Sequence, residues 1–231
     1  MTSRNELQPG QYLGLFKFFR ERCHLDQFLD GCLYCNTPEY YRLSSVQGVG
    51  DPNESCLISF RSSRGDSPLD LEIDGEPVGQ ASDLITRIGR KDGWLHCWAS
   101  LTVPKDEVAF RKLRADFSRI QEESGPYYAY LTPENSHKFV NRLRSLDLPI
   151  EAKAVTYYRG GYYGSSVFHK SEEHSYQREF RILLDECEVT ETKSQRFYIL
   201  GGLRDIVQDC PTIELSARAG SDVLTLSIRL P

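Results

Sequence analysis

Residues 94–146 read WLHCWASLTVPKDEVAFRKLRADFSRIQEESGPYYAYLTPENSHKFVNRLRSL, and this stretch decides the fold class. Residues 94–101 are aromatic and apolar, the composition of a central strand. From Asp106 to Glu123, Val108, Phe110, Leu113, Phe117 and Ile120 recur at helical spacing and predict an amphipathic helix. Residues 127–131 return to strand composition. Residues 133–146 repeat the helical pattern through Phe139, Val140, Leu143 and Leu146.

Outward from this centre, strands dominate. Residues 12–19 (YLGLFKFF) read as a buried strand or a short helix start, with Lys17 their only charge. Residues 25–29 suggest one or two helical turns stopped by Gly31, and residues 32–35 a short strand. Residues 40–54 are turn-rich, 55–61 read as a strand, and 69–75 (LDLEIDG) as one arm of a hairpin. Downstream, strands are expected at 152–158, 177–184, 212–215 and 223–230, with a short helix at 202–209. The expectation is an α+β fold, a strand-rich mixed sheet with two central amphipathic helices, rather than a doubly wound parallel sheet. A chain of 231 residues is expected to form one globular domain, with residues 1–10 as a loose leader.

The formal net charge of −5 disfavours nucleic acid as the main partner, because strong binders gather excess Lys and Arg on one face. The polar start and the lack of any apolar run near about 18 residues predict neither a signal segment nor a membrane span. Seven cysteines, an odd number, then read as reduced thiols of a cytoplasmic protein. Cys23-His24 with Cys32-Leu33-Tyr34-Cys35 hints at zinc. An extended Cys32–Cys35 would point its thiols to opposite faces, however, and no second pair completes a tetrahedral set, so no metal site is expected.

The pointed segment is Gln177-Arg178-Glu179-Phe180-Arg181-Ile182. Strand alternation puts Gln177, Glu179 and Arg181 on one face and Phe180, Ile182 and Leu184 on the other. The first set could floor a polar cleft or form an ion pair facing water. The run from His169 to His174, which includes Lys170, reads as a solvated loop. A second polar cluster holds Tyr40-Tyr41-Arg42 and Asp51-Pro52-Asn53-Glu54, where Arg42 could pair with Glu54 and staple the loop.

Taken in order, Gly31-Cys32-Leu33-Tyr34, Tyr40-Tyr41-Arg42, Asp51-Pro52-Asn53-Glu54, Val155-Thr156-Tyr157, Phe168-His169-Lys170-Ser171 and Tyr176-Gln177-Arg178-Glu179-Phe180-Arg181 resemble a bacterial and phage domain family of unassigned function. The Gln177-Arg178-Glu179 triplet is also distantly similar to the Q-x-E of ADP-ribosyltransferases. That resemblance implies a split sheet, NAD as the consumed cofactor, and a role as a bacterial toxin or phage-defence effector. Glu179 would stabilise positive charge on the ribose as nicotinamide leaves, and Gln177 would orient the acceptor. Arg42 or Arg20 would hold the phosphates, Tyr34 or Tyr41 would stack on the ring, and Arg181 and Lys170 complete the cofactor-binding set. Two other readings stand beside it. One is a non-enzymatic domain that binds a protein partner. The other is a Mg-dependent nuclease or phosphoesterase built on Asp51, Glu54, Glu179 and Lys170.

Overall fold

The computed structural model describes residues 7–56, 58–86, 91–159, 166–219 and 222–230. Its organising element is a six-stranded sheet. The spatial order is Gln208–Asp209, Tyr127–Leu131, Tyr12–Phe19, Asp92–Thr102, Glu179–Cys187 and Ile150–Ala154. Every pairing in it is antiparallel. The expected mixture of strand directions is confined to a small parallel pair, Thr156–Tyr158 with His169–Ser171.

Alternation sorts the strands onto two cores. On one face Leu15, Trp98, Ile182 and Leu184 pack against helix α1 (Arg22–Leu29) and a later helix, through Leu25, Phe28, Phe139 and Leu143. On the other, Phe16, Ala99, Leu101 and Tyr128 meet Phe110, Leu113 and Phe117 of the 18-residue helix, and Leu224 and Leu226 of a C-terminal hairpin. Each fully buried leucine or phenylalanine contributes about 1.5–3 kcal/mol, so these two layers supply the main driving force for the fold.

The helices begin and end where their chemistry requires. A short helix α2 (Pro38–Leu43) starts at Thr37, whose side chain accepts from Tyr40 N, with proline at its first position. The 18-residue helix is α3 (Glu107–Ser124). Asp106 caps it by accepting from Ala109 N at 2.8 Å, and Gly125, at φ 112°, ends it. Helix α4 (Pro133–Leu143) repeats the start with Thr132 and Pro133, and runs on into one 3₁₀ turn.

Four sequence expectations are corrected. The strand expected at 152–158 is broken at Val155, whose N–H turns to Glu179 O while the following residues pair with a different strand. No helix forms at 202–209; the segment turns through Leu203 to Val207 and then adds a two-residue edge strand. The strand expected from Gln177 starts only at Glu179, because Arg178 is in the left-handed region (φ 49°) at the end of a 3₁₀ turn. The turn-rich segment 40–54 contains the end of α2. Of the expected leader, residues 1–6 lie outside the described residues, and Gly10 N is tied to Val103 O at 2.8 Å. Among the described residues all seven cysteines are free thiols, and no helix is long and apolar enough to cross a membrane.

Candidate functional site

The site begins with a departure from sheet regularity. Strand Tyr12–Phe19 pairs with Asp92–Thr102 only as far as Phe16 opposite Ala99. It stays paired on its other side, with Tyr127–Leu131, through Phe19. The two strands therefore part beyond Phe16, and a cavity of about 720 Å³ opens there. Its wall takes His96 and Trp98 from one face of the sheet and Cys97 and Ala99 from the other. Lys17 reaches across the opening and donates to Cys97 O at 3.0 Å, meeting a carbonyl the ladder leaves unpaired.

Glu179 and Arg181 line this cavity from the neighbouring strand. Their face is not solvated: the side chain of Arg181 is 1% exposed and that of Glu179 12%. The guanidinium makes a two-pronged bond to Glu54 (Nη1 to Oε1 2.5 Å, Nη2 to Oε2 2.9 Å), donates from Nε to Glu179 Oε2 at 2.7 Å, and meets the Val167 carbonyl. Burial works against this charge, but Glu179 and Glu54 raise its pKa well above the ordinary value. Burial also pushes the Glu179 carboxyl upward. Arg181 and then Lys170 outweigh that effect and hold it at about 2, so it is a carboxylate at neutral pH.

Local sequence explains how the covering loop delivers Glu54. Asp51 Oδ1 accepts from Asn53 N at 3.0 Å, an aspartate turn that Pro52 favours. Arg42, wholly buried, binds Glu39 at 2.7 Å, the main-chain carbonyls of Glu54 and Val189 at 2.7 Å each, and Asp92 at 3.2 Å. The staple expected between Arg42 and Glu54 thus runs through the Glu54 backbone, and Arg181 takes the carboxylate.

The expected solvated loop around His169 to His174 is corrected as well. Lys170 is 5% exposed, because the parallel pairing of His169–Ser171 turns it inward. Its ammonium donates to Gln177 Oε1 at 2.7 Å and lies 3.6 Å from Glu179 Oε1 and 3.9 Å from Glu54 Oε2. Gln177 Nε2 donates to Gly48 O at 2.8 Å, so both ends of this amide fasten the loops over the cavity. Glu179 Oε2 is taken by Arg181. Among the described residues Oε1 has no hydrogen bond shorter than the Lys170 approach.

Of the residues singled out in the sequence, Glu179, Gln177, Arg181, Lys170, Tyr34 and Tyr41 come together on the cavity wall. Arg42 does not; its donors are spent inside the protein. Arg20 lines the cavity at its rim, where one guanidinium nitrogen donates to Glu123 O at 3.0 Å.

Three residues to which the sequence reading gave no role in the site, Lys17, His96 and Tyr157, matter here. Lys17 has one hydrogen bond and no carboxylate within 4 Å among the described residues, and burial lowers its pKa. Trp98 Nε1 donates to His96 Nδ1 at 3.0 Å, so the proton of the imidazole sits on Nε2. That nitrogen is buried without a partner among the described residues. Burial holds His96 well below its usual pKa, in the neutral form. Tyr157 accepts from Glu179 N at 2.8 Å and fixes the start of the strand. The one signal in the sequence was Lys17 itself, a lone charge in an apolar strand.

The elements of the two other readings lie elsewhere or are engaged. Among the described residues no three His, Cys, Asp or Glu side chains could hold a metal ion together. Exposed apolar side chains occur on the hairpin of Leu69–Ile73 and Glu76–Ala81, where Ile73 is 64% and Val78 55% exposed. No family model matches the chain, and neither the curated proteins nor the solved structures include one significantly similar to it.

Proposed function

We propose that the cavity binds NAD and that the protein transfers its ADP-ribose to an acceptor. One observation carries this: a largely buried glutamate, ionised at neutral pH, lines a cavity of dinucleotide size, and among the described residues its second oxygen has only the Lys170 ammonium near it, at 3.6 Å. Small-molecule sites commonly span about 300–1,000 Å³, and this one is about 720 Å³. A carboxylate held in place before reaction stabilises developing positive charge without reorganising.

In this reading the bond between C1′ of the ribose and the nicotinamide nitrogen breaks. Both electrons go to nicotinamide, which leaves neutral, while Glu179 Oε1 faces the cationic sugar. An acceptor oxygen or nitrogen donates its electron pair to C1′ and releases its proton to solvent. Lys17 and Arg20 supply cationic donors for the phosphates, in place of Arg42. Tyr41 supplies an aromatic face for the ring. Arg181, with every donor engaged, positions Glu179 rather than touching the ligand. Gln177 likewise holds loops together and does not orient an acceptor.

Release of nicotinamide from NAD tests the reading. Glu179→Gln keeps the size and one acceptor; it is expected to lower the thermal midpoint, because Arg181 loses a charged partner, and to slow release by about 10²-fold or more in protein that is still folded at the assay temperature. Full activity in this variant, or its failure to fold, removes the catalytic role. If the wild type neither releases nicotinamide nor is stabilised by NAD, the exposed hairpin and an interaction role take its place.

A further inference from the structure

The small sheet of Cys32–Cys35 and Gln195–Tyr198 has two unlike faces. Leu33 stands opposite Phe197, and both are buried together with Cys35. The alternate positions, Tyr34 opposite Arg196 and Tyr198 opposite Cys32, share the other face. There Tyr34 is 49% and Tyr198 63% exposed. The Arg196 guanidinium lies 5.3 Å from the centre of the Tyr34 ring. The Tyr34 hydroxyl donates to Ser194 Oγ at 2.7 Å, and Ser194 donates to Asn36 at 2.6 Å. The ring is therefore held in place by its hydroxyl and by Arg196, while about half of the residue stays exposed.

This strip of ring, guanidinium and ring leads into the cavity, since Tyr34 and Arg196 also line its wall. Tyr40, 36% exposed, stands on the same rim. Arg20 and Arg196 place two guanidinium groups on the rim of an otherwise acidic chain; Glu21 and Glu122 are exposed acids near Arg20, while Glu123 is engaged by Arg119 at 2.9 Å and by the Tyr176 hydroxyl at 2.7 Å.

Aromatic faces spaced along a β-surface, with arginines between them, hold unpaired bases by stacking and their phosphates by charge. We propose that this strip binds single-stranded nucleic acid and presents one nucleotide at the cavity mouth. As the identity of the acceptor, this rests on the transfer reading above; as a binding site, it does not. In the transfer, a base nitrogen or a hydroxyl oxygen of that nucleotide forms the new bond to C1′, nicotinamide departs with the old bonding pair, and the nucleotide's proton goes to solvent. A duplex, with its bases stacked and paired, offers no free faces to these rings.

Fluorescence anisotropy with labelled oligomers of about twelve nucleotides, as single-stranded DNA, single-stranded RNA and duplex DNA, tests this on the full chain. Binding of a single strand in preference to duplex is expected, weakening as salt rises. Preference between the DNA and RNA arms identifies the sugar. Tyr198→Ala, at a surface position outside the cavity wall, is expected to weaken binding at least about fivefold, the low end for one base–aromatic stack. NAD-dependent nicotinamide release in the absence of oligomer is expected to be unchanged in that variant. Absence of single-strand binding, equal binding of duplex, or binding indifferent to both Tyr198→Ala and Tyr34→Ala overturns the proposal. Loss of the transfer reading with strand binding intact removes only the acceptor assignment.

Discussion

At Arg181 one guanidinium satisfies two buried carboxylates and a carbonyl. Removing charge from water is costly, and such a cluster stands only because each member has partners. Glu179 has a folded pKa of about 2, below its unfolded value of about 4.3. A carboxyl shifted down in this sense contributes stability that is complete above the unfolded value and lost as pH falls towards the folded one. Urea unfolding measured from pH 6 to pH 3 is thus expected to show falling stability, with a shallower fall in Glu179→Gln. Identical pH profiles in the two proteins would mean that the carboxylate is not held in this way.

At the scale of elements, the parting of Tyr12–Phe19 from Asp92–Thr102 makes the cavity, and Lys17 stands in the gap. A buried ammonium with one hydrogen bond adds little to stability, because its desolvation opposes that bond. Lys17→Met is expected to leave the thermal midpoint unchanged or raised, while the stabilisation by NAD is lost. A lowered midpoint with the NAD shift intact would make Lys17 structural. Much at this scale was legible in the sequence. The alternation of Glu179 and Arg181 against Phe180, Ile182 and Leu184 follows from the pleat alone, as do α3 and α4 from their spacing. The break at Val155, the turn in place of a helix at 202–209 and the inward face of Lys170 were not. Each depends on which distant strand supplies the next partner, and local periodicity carries no record of that.

For the molecule as a whole, both cores share one sheet, so neither face can lose its packing without exposing the other's strands. Trp94 and Trp98 report the first core, and far-ultraviolet circular dichroism reports the sheet and helices together. The two signals are expected to lose structure in a single coincident transition with denaturant. Separate transitions would show that the C-terminal hairpin side unfolds independently. The convergence of the charged clusters is likewise a whole-molecule property. Glu54 and Arg181 are far apart in the chain, and the sequence named the groups without showing that they meet.

The same long-range pairing shapes the protein's synthesis. YLGLFKFF leaves the ribosome well ahead of its strand partners, which begin only at Asp92 and Tyr127. At roughly 5–20 residues per second, this apolar segment spends several seconds without either edge covered. Lys17 is the only charge in it. A lone cation within an unpaired apolar strand discourages association with other nascent chains. The residue that stands in the gap of the finished sheet therefore protects the strand before there is a sheet to join.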